Sequence, residues 1–338
     1  MENMELAPED LSGPLVRMDP LALGIAPGTL LTVDFTNFAG NPESAAQAAE
    51  AWLLALPCPS LALTSTPMRL RGFDLSVSNP QDLDRIAAVV ARNPVSTTVL
   101  VQALRVIEGL PLSAGLVVES LAFAALQQGE EFHRWLETRQ VKASPGGAAT
   151  AVASPQPAPP VLLSRRGAEM DIVLNRPAAR NEIDVEMRDA LFEAFTVGAL
   201  DEGIERIHVR GNGDSFSIGG ALSEFGKVSS GISGHFIRTE RLPARMLAAH
   251  GAKYHFHLHG ACVGAGVEIA AFGGRVTATP STFLRLPETG MGLIPGAGGC
   301  VSVTRRIGRQ GAAWMMLTGA RISARTALQW GLIDGIDD

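Results

Sequence analysis

Glu268 and Glu288 stand in surroundings that suit proton transfer. Glu268 lies in His259–Ala270, HGACVGAGVEIA, where a strand runs through a glycine-rich turn into a helix and the glutamate sits one turn into an otherwise apolar stretch. Glu288 follows Pro287 in Phe283–Gly299, FLRLPETGMGLIPGAGG, an apolar, loop-like setting whose GLIPGAGG forms a rigid turn into another helix. Burial, or a second carboxyl group nearby, makes a carboxyl hold its proton to higher pH, where acid–base catalysis operates. A third segment, Asp214–Phe225, DSFSIGGALSEF, turns from strand to helix through Gly219-Gly220. Glycine lets backbone approach a ligand closely, and the unpaired amides of a helix start favour developing negative charge. Each segment also has a plainer reading by itself. A Gly-Gly turn is commonly structural, Glu268 would complement a helix dipole, and Glu288 would be a solvated loop residue.

The elements that must position these groups alternate between strand and helix. Met170–Leu174 and Arg206–Arg210 read as strands around a helix at Val185–Leu200; a helix from about 236 to 250, another strand, and a helix starting near Ala265 follow. Such alternation predicts an α/β fold with covered sheets. Before residue 143, Leu30–Phe35, Ser60–Thr64 and Phe73–Val77 read as strands, Pro42–Leu56 as a helix, and 79–140 as helix-rich sequence. Leu116–Leu126 is apolar all round, so that helix is expected to be buried or packed between subunits. Residues 143–160, ASPGGAATAVASPQPAPP, hold no large apolar side chain and read as a linker. The expected division is therefore an N-terminal tail over 1–27, a first domain over 28–142, the linker, and a second domain over 161–338.

Composition narrows the function classes. The chain has 338 residues, 46% hydrophobic, enough for a large core or two moderate ones. A net charge of -6 without clustered Lys and Arg argues against a nucleic-acid partner. Cys58, Cys262 and Cys300 are scattered, which fits a reducing compartment better than a disulfide framework. The start, MENMELAPEDLSG, lacks the basic and apolar regions of a signal peptide, and no apolar run is long enough to span a membrane. A cytoplasmic protein with neither nucleic-acid nor membrane partners is expected.

Taken in order, the motifs of 161–338 resemble the crotonase (enoyl-CoA hydratase/isomerase) superfamily. They are DIVLNRPAARNEI, in which Asn175, Arg176, Pro177 and Asn181 match the family pattern, then FSIGG, GACVGAGVE, LPETGMGLIPGAGG and TGARISARTALQWGLID. The resemblance implies a crotonase-like ββα superhelix in the second half. It implies an oxyanion hole for a thioester carbonyl, made by the amides of Gly220 and Ala265. Both glutamate positions of the family's hydratases are filled, with Glu288 implied as proton donor to Cα and Glu268 as the base that holds water. Substrate contacts are implied at Ala178, Ala179, Arg180, Ser217, Ile218 and Gly264. The implied substrate is an acyl-CoA, with no metal and no cofactor beyond that CoA, in a homo-oligomer, a trimer or hexamer. Enoyl-CoA hydration is the expected reaction. Isomerisation, thioester hydrolysis, decarboxylation and non-catalytic acyl-CoA binding are the alternatives.

The sequence departs from the family in three places. Ala221 stands where an Asp is common. His255, His257 and His259 alternate along a strand that is usually small and aliphatic; HxH spacing can ligate zinc, but no third-ligand motif is evident. Family members continue past the GLID-like motif with a helical tail, whereas this sequence ends at Asp338 and carries tail-like helices at 79–140. The first half is accordingly expected to be a degenerate crotonase-like domain that supplies the tail helices, to its own chain or to a neighbour.

Overall fold

The computed structural model describes residues 3–142 and 158–337; most of the expected linker lies outside them. The first half contains β1 (Met4–Leu6), β2 (Leu31–Asp34), α1 (Pro42–Ala48), α2 (Glu50–Leu54), β3 (Ser60–Leu63), β4 (Leu75–Val77), α3 (Pro80–Arg92), α4 (Pro94–Ile107), α5 (Leu112–Leu126) and α6 (Glu130–Lys142). The second begins with β5 (Val161–Arg166), β6 (Glu169–Leu174), α7 (Val185–Leu200), β7 (Arg206–Gly211), β8 (Ser215–Ser217), α8 (Gly231–Arg241), α9 (Ala244–His250) and β9 (Tyr254–Leu258). It continues with β10 (Ala261–Val263), α10 (Ala265–Ala270), β11 (Arg275–Ala278), β12 (Phe283–Arg285), α11 (Gly299–Thr318), β13 (Ile322–Ser323), α12 (Ala324–Trp330) and β14 (Gly335–Ile336).

Three sheets result. The first half forms β1-β2-β3-β4, parallel throughout. The second half forms a six-stranded sheet, β14-β11-β9-β7-β6-β5, and a four-stranded sheet, β13-β12-β10-β8. In the smaller sheet β8, β10 and β12 are parallel neighbours. Their C-terminal ends therefore open on one edge, which brings the three glycine-rich turns of the sequence together. Open α/β sheets bind ligands at that edge.

Two expectations need correction. The residues read as a tail are part of the first half. Met4 pairs with Leu31 in the sheet, and Leu11 and Ile25 are fully buried in a cluster with Val33, Leu53 and Phe73. Apolar side chains spaced through 4–25 cover the sheet although no long element carries them. The helix expected over about 236–250 is two, broken at Leu242-Pro243, because proline has no amide to donate to the preceding turn. The first of the two starts earlier, at Gly231, where Ser230 Oγ caps the amide of Ser233 at 3.2 Å.

The two halves share a core. One cluster runs from Leu61, Leu100 and Leu104 through Phe123 to Val301 and Met316, because α3, α4 and α5 pack on α11. The tail-like helices thus cover the second half of their own chain. Each large aliphatic side chain buried there contributes about 1.5–3 kcal/mol. Polar ties add register. Asp74, 1% exposed, accepts Arg105 Nε and Arg309 Nη1 at 2.8 Å each, and Arg309 Nε donates to Glu108 at 3.0 Å. Asn93 Nδ2 donates to Thr289 O at 2.6 Å, one residue beyond Glu288. Removing one partner of a buried ion pair strands the other charge, at a cost of about 3–5 kcal/mol. Asp74→Ala is expected to lower the free energy of urea unfolding by about that amount. A wild-type midpoint would show that the network does not tie the halves.

Candidate active site

The site begins with two turns side by side. Register pairs Cys262 of β10 with Ser217 of β8, so Gly219-Gly220 and Gly264-Ala265 leave the sheet as neighbours. Gly219 has φ +85°, and a Cβ there would lie 2.6 Å from Val263 O, so only glycine lets the turns approach. Gly264 has φ +52°, and its Cβ would lie 2.7 Å from Glu288 Oε1. Ile183 pins the first turn, donating to Gly219 O at 2.8 Å and accepting from Ala221 N at 3.0 Å. The buried Ala221 therefore sits in a turn held by backbone, without the family's Asp. The amides of Gly220 and Ala265 find no acceptor among the described residues, and both residues line a cavity of about 220 Å³ with Glu268 and Glu288.

Three carboxyl groups are buried here, one of them unforeseen. Glu268, 2% exposed, accepts from Ala297 N at 2.7 Å and Gly299 N at 2.9 Å, both through Oε2. Glu119, 1% exposed and on α5 of the first half, accepts from Gly298 N at 2.6 Å and Cys300 N at 2.7 Å. Consecutive amides at the start of α11 are thus dealt alternately to two glutamates. Glu288 differs: it is buried and its Oε2 has no hydrogen-bond partner. Burial raises Glu268 to about 7 against the opposing pull of its amide bonds, and raises Glu119 to about 8 with help from the charge on Glu268. Glu288 is pushed well above the usual carboxylate range by burial and then by Glu268. Near neutral pH the arrangement favours a charged Glu268 beside a protonated Glu288, with the titration shared across the cluster. The only sign of Glu119 in the sequence is a single acid in the largely apolar run LVVESLAFAAL.

Other expected contacts fall unevenly. Ser217 is fully buried; its hydroxyl donates to Asn181 O at 2.7 Å and accepts Gly219 N at 3.1 Å, so it ties the turn. Ile218 lies beside the same turn and bonds Arg180 O at 3.2 Å. Ala178, Ala179, Arg180, Ile218 and Gly264 lie outside the wall of the cavity that holds the glutamates. Asn181, buried with φ +53°, donates to the carbonyls of Asn212, Ser215 and Phe216 and so fixes the strand–turn junction. The wall also includes Phe123 and Gln127 of the first half and Arg238 of α8, none of which the motifs indicated.

The histidines form a separate group. His257 Nε2 lies 2.9 Å from His208 Nδ1, and His255 packs edge-on against His208. His259 instead bonds Gly213 O at 2.9 Å. Burial lowers His208, His255 and His257, the last to about 4, so they are neutral near pH 7. Among the described residues no group of three or more His, Cys, Asp or Glu is arranged to hold a metal ion, and no helix is long and apolar enough to cross a membrane.

Comparison with known proteins bears on the same segments. The family model described as enoyl-CoA hydratase/isomerase matches residues 170–336. The 2,3-dehydroadipyl-CoA hydratase of Escherichia coli is 31% identical over 176 residues, which cover 52% of this chain and 68% of that protein. The chain belongs to the enoyl-CoA hydratase/isomerase family. Its fold is crotonase-like: a solved Mycobacterium abscessus structure described as an enoyl-CoA hydratase/isomerase superposes with a TM-score of 0.50 at 28% identity, over 53% of this chain and 70% of that one. Reaction type varies among such relatives. A mitochondrial 3-hydroxyisobutyryl-CoA hydrolase of Danio rerio is 30% identical over 176 residues, 51% of this chain and 46% of that protein. Family membership thus assigns acyl-CoA chemistry, and the region matched by the family model excludes α5 and its glutamate.

The raised carboxyls have a consequence for stability. Glu119 is raised in the folded state, so its contribution is fullest below the unfolded carboxylate range and is lost as pH rises through about 8. Glu119→Gln should therefore flatten the decline in melting temperature between about pH 5 and pH 8. A decline identical to wild type would mean that Glu119 does not titrate in that range.

Proposed function

We propose that the protein is an enoyl-CoA hydratase whose oxyanion hole is formed by the amides of Gly220 and Ala265. The difference between the two cavity glutamates carries this reading. Glu268 has two amide donors that favour its anion, whereas Glu288 has a buried oxygen without a partner, which favours the acid. Hydration of a 2-enoyl thioester needs one of each. Glu268 takes a proton from water as the oxygen bonds to Cβ. The C=C π electrons move onto the thioester, and the two amides hold the resulting enolate. Each such donor is worth about 3 kcal/mol in the transition state. Glu288 then delivers its proton to Cα, and proton exchange with solvent resets the pair. Hydrolysis would use the same groups with water directed at the carbonyl carbon, and the hydrolase relative is the reason to assay for it.

By the same reading the first half is a degenerate crotonase-like unit whose helices replace the family's tail, and the protein is a cytoplasmic homo-oligomer. Exposed Val117 and Leu121 on α5 and Ile232 and Phe236 on α8 support assembly, because exposed apolar side chains grouped on neighbouring helices suit a subunit contact. Light scattering after size exclusion tests this, and a monomer at micromolar concentration would rule it out.

Crotonyl-CoA hydration tests the chemistry. Glu288→Gln and Glu268→Gln are each expected to reduce kcat by about a hundredfold or more. In the wild type, kcat/KM should rise with pH through about 7 as Glu268 loses its proton. A rising limb in the ordinary carboxylate range, or unchanged turnover in Glu288→Gln, would refute the assignment.

A further inference from the structure

Arg238 of α8 stands between two cavities. It lines the one that holds Glu268 and Glu288, and together with Leu242 it also lines a larger one of about 530 Å³. The larger cavity lies between α5 and the α8–α9 pair, with Leu116, Val117 and Met246 in its apolar wall and the exposed Arg245 at its margin. Its volume is within the range of small-molecule sites.

The guanidinium is held but not neutralised. Nε donates to Ser120 Oγ at 3.1 Å, Nη2 makes a longer bond to Ser120 O at 3.4 Å, and Cζ sits 4.5 Å from the centre of the Phe123 ring. Nη1 has no acceptor, and no carboxylate lies within ion-pair distance of Arg238, among the described residues. Glu119, one residue before Ser120, spends its oxygens on the amides of Gly298 and Cys300. His235 Nδ1 meets the same Ser120 hydroxyl at 2.9 Å and so supplies no anion. Burial lowers Arg238 to about 10, opposed by the charge on Glu119, and leaves it a cation. A half-buried cation with no carboxylate in direct contact is costly, and a guanidinium offers a fork that fits a carboxylate.

We propose that the larger cavity receives the distal end of the acyl group and that Arg238 binds a carboxylate there, so that the preferred thioesters are half-thioesters of dicarboxylic acids. This rests on the acyl-CoA reading above, but not on hydration as the reaction. Stacking on Phe123 fixes the direction of the guanidinium, and the apolar wall accommodates the methylene chain between the thioester and the distal carboxylate. Arg238 acts here as a specificity-determining residue and takes no part in the proton transfers.

The test uses the full chain and two saturated ligands of equal length, hexanoyl-CoA and adipoyl-CoA, measured by calorimetry beside free CoA. Wild-type protein is expected to bind adipoyl-CoA about tenfold more tightly or better, the scale of a charge-assisted hydrogen bond. Arg238→Gln should erase that preference, and Arg238→Lys should keep part of it. Equal affinity of the wild type for the two acyl ligands overturns the proposal without any variant. So does an equal loss on both ligands in Arg238→Gln, or a comparable loss on free CoA, since these assign Arg238 to packing or to the CoA phosphates. A preference for adipoyl-CoA in a protein that hydrates neither crotonyl-CoA nor the 2-enoyl half-thioester of a six-carbon dicarboxylic acid would retain the subsite and reject the hydratase. Absence of any acyl-CoA binding would reject both.

Discussion

Burying carboxylates is the constraint around which this molecule is organised. An ionised carboxylate removed from water must find donors, and the start of a helix supplies amides that the helix cannot use itself. At the start of α11 four successive amides serve two glutamates in alternation, Glu268 from α10 and Glu119 from α5. Two carboxyl groups are thereby buried around one short stretch of backbone, and burial, joined for Glu119 by the charge on Glu268, displaces their titration toward neutrality.

That arrangement makes the first half part of the site. The helices that follow the small parallel sheet bury their apolar faces on α11, and Asp74, Arg309 and Asn93 fix where they dock. A shift of α5 along α11 would withdraw Glu119 from its amides and Phe123 from the cavity wall together. Packing and electrostatics therefore impose the same register, the kind of agreement between levels that gives one native arrangement.

Differences among the three acids carry the chemical reading. Amide bonds stabilise charge on Glu268, whereas the orphaned oxygen of Glu288 stabilises the protonated form. Glu119 is fully engaged with backbone and lies outside the cavity wall, so it positions the turn that holds Glu268. Arg238 brings the opposite sign of charge to the same wall, at the boundary with a larger apolar space.

Much of the second half was legible in the sequence because its signals are local. Val185–Leu200 reads as a helix from its own periodicity and is one over those residues. The glycine turns, Glu268 and Glu288 are legible because a turn that needs φ > 0 or close backbone approach must write glycine into the chain. The bonds of Ser217 were not legible, since a hydroxyl beside a glycine turn looks the same in sequence whether it faces a ligand or ties the turn, as it does here. The structured residues 4–27 were missed because burial there comes from isolated apolar side chains without a period. Glu119 and Arg238 depended on tertiary structure altogether. Each is a charged residue with no motif around it, and its partners, the amides of Gly298 and Cys300 for one and the boundary of two cavities for the other, lie over a hundred residues away or arise only where two helices meet. Sequence determined which groups could do chemistry; the packing of α5 on α11 and α8 decided which of them meet, because desolvation and charge coupling exist only after distant segments close around them.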